Sequence, residues 1–174
     1  MADIEILFDL GERFFRRFPM SETPFPEDSS VRSRVLDTLV LIHRSEHLVS
    51  IRPDMPPQNI AFALCRLWFD HIFTPSMRYL DGWKGDADPV ATAEFIAAFT
   101  EEEYGWLERF HRFLELRIDR LSKTQMKEGV FPINDTWKGI TRDAGNLLDL
   151  LDQDGSRKTD RLETVMRALV PPGE

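Results

Sequence analysis

The 174-residue sequence predicts an all-α fold, a single-domain bundle of six or seven helices. Three observations predict it. Apolar residues recur three and four positions apart along most of the chain, as they do on a helix with one buried face. Ser, Thr, Asp or Asn stands just before these runs, often followed by proline or glutamate, as at helix N-termini. No alternating apolar–polar run of useful length competes with them.

The first helix is expected at about residues 3–18, where Leu7, Leu10, Phe14 and Phe18 share a stripe flanked by Phe8 and Phe15. Acids lead it and Arg16-Arg17 close it, in keeping with the helix dipole. Pro19, Pro24 and Pro26 make residues 19–28 a linker. Ser29 or Ser30 then caps a second helix running to about Ile51, with Val31, Val35, Leu36, Leu39, Val40, Ile42 and His43 inward. The prolines in Arg52–Gln58 make a tight connector. A third helix follows from about Asn59 to Phe73, on a stripe of Ala61, Leu64, Cys65, Trp68 and Ile72.

Thr74-Pro75 and Asp88-Pro89 each read as a cap followed by proline at the first helical position, the second opening a short helix to about Phe99. Thr100-Glu-Glu-Glu103 is a capping box for the longest helix. On it Tyr104, Leu107, His111, Leu114, Ile118 and Leu121 form a seam, and the helix is expected to end before Gly129. Asn134 or Asp135 caps the next helix, whose stripe is Trp137, Ile140, Ala144, Leu147, Leu148 and Leu151. Gly155 marks a turn, Thr159 caps a last helix to about Leu169, and Pro171-Pro172 stops it. The proline linkers are too short to separate domains, so residues 1–174 read as one unit.

Composition narrows the function. A net charge of -8 without a basic segment leaves no electrostatic footprint for nucleic acid. The longest apolar stretches, such as Ile60–Cys65, fall far short of the ~20 residues that cross a bilayer. Residues 1–18 lack the basic start of a signal peptide. One cysteine excludes an intramolecular disulfide and fits a reducing compartment. A cytoplasmic protein without membrane or nucleic-acid partners is therefore expected. The excess of Phe over helix faces one stripe wide suggests a homodimer.

Two groups of residues carry candidate chemistry. His43 and His47 are four apart, which on a continuous helix places them on one face, and His71 and His111 lie on or beside apolar stripes. Convergence of three of them would suit a transition metal such as zinc or iron. Glu108-x-x-His111 is half of a carboxylate-bridged di-iron signature, with no second pair elsewhere. Glu108 equally suits an ordinary pair with Arg112 one turn on.

The second group is the loop 78–86, where Arg78, Tyr79, Asp81, Trp83, Lys84 and Asp86 offer stacking faces and charges in a segment between helices that also holds Gly82 and Gly85. The stretch Asp149–Gly155 resembles the start of a calcium loop, but its register fails. Phosphate-binding and nucleophile motifs are missing. The sequence thus points to a helical protein that binds a protein or small-molecule ligand, with the 78–86 loop as its surface and no cofactor. The alternative is a metal-dependent helical-bundle enzyme using the histidines.

Overall fold

The computed structural model describes residue 25 and residues 28–51, 53–76 and 87–152. The expected helices at 3–18 and 159–169, the Asp149–Gly155 stretch beyond Asp152, and the whole 78–86 loop lie outside them. The described residues form seven α-helices and no strand. These are α1 (Val31–His43), α2 (Ser45–Ile51), α3 (Pro57–Leu67), α4 (Pro89–Ala97), α5 (Glu101–Ile118), α6 (Lys123–Glu128) and α7 (Asp135–Leu151). The all-α bundle read from the sequence is the fold.

Side-chain caps place most helix starts. The Ser30 hydroxyl accepts from the Ser33 amide at 3.1 Å and opens α1. Asp88 caps α4 through the Val90 amide at 2.9 Å. The Thr100–Glu103 box is reciprocal: the Thr100 hydroxyl accepts from the Glu103 amide at 3.2 Å, and Glu103 Oε2 accepts from the Thr100 amide at 2.9 Å. Asn134 caps α7 by accepting from the Thr136 and Trp137 amides. Such caps each contribute on the order of 1 kcal/mol by satisfying amides that have no helical partner.

Three boundaries differ from expectation. The helix expected to run to Ile51 breaks at Arg44, which leaves helical geometry (φ -105°, ψ 27°), and α2 restarts at Ser45. The third helix does not stay α-helical to Phe73. Its last turn, Trp68–Ile72, widens to a π-helix closed by the Phe73 amide donating to the Trp68 carbonyl at 2.9 Å. The long helix, whose seam was expected to continue to Leu121 before an end ahead of Gly129, already stops at Ile118. A second capping box, Ser122 with Gln125, starts α6, and Gly129 closes it at φ 64°. Only that last conformation calls for glycine, since other side chains are strained there.

The core is built around α1. Every residue from Val35 to Ile42 is buried, including Asp37 and Thr38. A helix buried all round lies at the centre of its bundle. Thr38 satisfies its hydroxyl within the helix, donating to the Arg34 carbonyl at 2.8 Å. The chief partner of α1 is α7, and α3 with its π turn packs on it as well. All six predicted stripe residues of α7 are buried. Of the α5 seam, Leu107, His111, Leu114 and Ile118 are buried, while Tyr104 and Leu121 pack at its ends.

The α1–α7 contact is close because of one glycine. The His43 ring lies over Gly145, and a Cβ there would come to 2.5 Å from His43 Nδ1 and Cε1. His43 Nδ1–H donates to the Thr141 carbonyl at 2.9 Å, which pins the ring in place. Alanine is worth about 1 kcal/mol over glycine inside a helix, but displacing the ring forfeits the hydrogen bond and forces repacking that costs about 1–3 kcal/mol. Gly145→Ala should therefore lower unfolding stability by about 1–2 kcal/mol. In a His43→Ala background, where the ring is gone, the same change should be neutral or stabilising. Urea denaturation of the four proteins reads both values, and the same loss in both backgrounds would refute the packing account.

Candidate functional site

The four histidines occupy different settings. His43 stands at the end of α1 against α7, held by Thr141. His47 is exposed on α2, beyond the break at Arg44, so the four-residue spacing spans two helices instead of one face. His71 is half-buried in the π turn, and His111 is 3% exposed in the middle of α5. Among the described residues, no three His, Cys, Asp or Glu side chains are grouped so as to hold a metal ion.

His111 is embedded in aromatic rings. It stacks on Phe73 with ring centres 4.1 Å apart and 17° between planes, and Phe69 meets it edge-on at 5.2 Å. The indole of Trp68 donates to His111 Nδ1 at 3.2 Å. An indole N–H can only donate, so Nδ1 must accept, and the imidazole carries its proton on Nε2 in the neutral form. Trp68 itself meets Phe110 edge-on and Phe73 face-on, and Phe95 joins through Phe73. The π turn is what brings Trp68 and Phe73 to the same ring, because its extra residue per turn shifts the side chains that follow. This cluster is a packed centre joining α3, α4 and α5.

Charged groups around the π turn are paired. Arg66 Nε reaches Asp70 Oδ2 at 3.3 Å, and Asp70 is 3% exposed. Desolvation, together with the nearby Arg66 charge, holds the His71 imidazole below its ordinary value. Burial pushes the Cys65 thiol far above the ordinary range, so it stays protonated and is no nucleophile at neutral pH. On the surface of α5, Arg112 pairs with Glu108 at 3.1 Å, which is the ordinary i,i+4 contact that the sequence allowed.

A concave feature formed by described residues lies elsewhere, between α5 and α7. Its position follows from a clamp at the end of both helices. Arg32, at the start of α1, donates through both Nη atoms to the Glu103 carboxylate at 2.8 and 2.9 Å. Arg32 also donates to the Leu151 carbonyl at 2.9 Å, and its guanidinium covers the Phe99 ring at 5.2 Å. The beginning of α5 is thereby fixed beside the end of α7, so the two helices leave that point antiparallel.

Between them runs an open groove of about 300 Å³. Phe110 and Leu147 form its buried floor, and Trp106, Phe113 and Leu150 its apolar walls. Arg109 on α5 and Asp143 with Asn146 on α7 supply the polar rim. Leu150 is 47% exposed, and Leu116, further along α5, is 56% exposed. Arg117 lies across the outer face of Phe113, 3.5 Å from the ring centre.

The groove was not anticipated, although its signal is in the sequence. Trp106, Phe110 and Phe113 are spaced four and three apart, a second apolar stripe on α5 displaced from the seam. The 78–86 loop lies outside the described residues, so its six candidate residues have no place in this geometry. Comparison with known protein families, curated proteins and solved structures gives no match to this chain.

The lowered His71 value makes a pH dependence. Between the unfolded value of 6.5 and the lower folded one, the unfolded chain takes up a proton that the native protein refuses. The His71 contribution is therefore fully present above about pH 6.5 and is lost as pH falls toward the folded value. Denaturant melts between about pH 7.5 and pH 5.5 should show stability falling with acid, and His71→Gln should flatten that fall. An unchanged slope in the variant would mean that the imidazole titrates freely.

Proposed function

We propose that this protein acts by binding a partner, and that the α5–α7 groove is its recognition surface. The observation that carries the reading is the pairing of an apolar floor with exposed apolar walls and a polar rim. Phe110 and Leu147 belong to the core, while Leu150 presents apolar surface to solvent at the groove edge. Covering such a surface is favourable at roughly 25 cal/mol per Å² of apolar area removed from water. Aromatic anchors with a few convergent polar groups are the usual make-up of binding hot spots.

The groove chemistry favours recognition over reaction. Its lining is mostly aromatic and aliphatic, with Arg109, Asp143 and Asn146 as the polar groups at the rim. The buried thiol of Cys65 and the aromatic-caged imidazole of His111 sit within the core, where a substrate has no approach. Asp143 pairs with its neighbour Arg142 at 3.5 Å, a surface contact that another partner can replace at little cost.

In-cell photo-crosslinking tests the reading. A benzophenone amino acid in place of Leu150 should give a discrete covalent adduct. The same group in place of Lys138, on α7 but away from the groove lining, should give none. Absence of an adduct at position 150, or equal labelling from both positions, would remove the groove as the binding surface.

A further inference from the structure

We infer that the occupant of the α5–α7 groove is a second copy of this chain, placed by a twofold axis. The inference rests on the groove being the binding surface and adds what fills it. A twofold contact requires one patch to complement itself, with residue i meeting j and j meeting i. The two walls of this groove have that property in charge. The α5 wall carries Arg109 and the α7 wall carries Asp143, and among the described ion pairs they are not joined to each other. A copy turned to face the groove sets its Asp143 against Arg109 and its Arg109 against Asp143, two attractive pairs at once. Such a contact also covers the apolar side chains of the lining, Leu150 among them, on both copies at once.

Size sets the expected strength. The lined segments, 106–113 and 143–150, are about two turns each, roughly 11 Å of helix. That is short of what a standard-size interface of about 800 Å² per partner uses. The dimer is accordingly expected to be weak and in exchange, with a dissociation constant on the order of micromolar.

Sedimentation equilibrium of the full chain is the test. The wild type should shift with concentration from 20.3 kDa toward twice that mass. Arg109→Asp and Asp143→Arg each turn both cross-pairs repulsive, so each variant alone should raise the dissociation constant at least tenfold. Mixing the two variants restores both pairs as attractive, and association should return to near the wild-type value. Circular dichroism of each variant confirms that the fold is kept. A wild type that stays at 20.3 kDa at high concentration, or dimers indifferent to both reversals, would overturn the inference. So would a Leu150 crosslink to a protein of different mass, an outcome that leaves the groove as a binding surface while assigning it another occupant.

Discussion

The guanidinium of Arg32 is the constraint on which the arrangement of the bundle depends. Its planar fork engages the Glu103 carboxylate with both terminal nitrogens while also donating to the Leu151 carbonyl. Three helix ends therefore meet at one side chain: the start of α1, the start of α5 and the end of α7. A lysine has one point charge and cannot reproduce two parallel bonds plus a third. Glu103 serves twice, since the oxygen that binds Arg32 Nη1 also accepts from the Thr100 amide in the capping box. Arg32 is the main reason the Glu103 carboxyl lies below the usual carboxylate range. Its contribution is fully present above the ordinary value of 4.5 and is lost as pH falls through the lower, folded one. The Arg32 side chain is about one-third exposed, so solvent screens part of the ion pair.

Once those ends are fixed, the rest follows from packing. The glycine at 145 lets the His43 ring lie against α7, which draws α1 into the centre, where it is buried on every side. The π turn rotates Trp68 and Phe73 toward α5 and surrounds His111 with rings. A histidine that looked in the sequence like a ligand is thereby explained as a hydrogen-bond acceptor for an indole. The antiparallel exit of α5 and α7 from the clamp leaves the groove between their outer faces, where Trp106 and Phe113 are only partly covered by the core.

Much of the fold was legible because its signals are local. Caps at Ser30, Asp88, Thr100 and Asn134 and the stripes of α5 and α7 depend on neighbours three or four residues away, and these are where they were expected. The break at Arg44 and the π turn at Trp68 carry no comparable signal. They arise from tertiary contact, as side chains rotate to meet α7 and α5. The stop at Ile118 had a local signal, the Ser122–Gln125 box, which the continuing seam to Leu121 masked. The groove was hidden for a different reason. Trp106, Phe110 and Phe113 read as extra core until the position of α7 shows which of their faces remain uncovered, and that position is set by an arginine 74 residues before the first of them. The spacing of His43 and His47 reads differently for the converse reason: it assumed a continuous helix, and the break at Arg44 puts the two on separate helices.

The most direct test of this account is a double-mutant cycle on Arg32→Ala and Glu103→Ala, read by urea unfolding of the two single variants, the double variant and the wild type. The clamp predicts a coupling energy of at least about 1 kcal/mol, more than an isolated surface ion pair supplies, because the bonds are bidentate and partly buried. It further predicts that each single variant loses the slow exchange of amides at the start of α5 and the end of α7 together. A coupling energy near zero, or loosening of one helix end without the other, would contradict it.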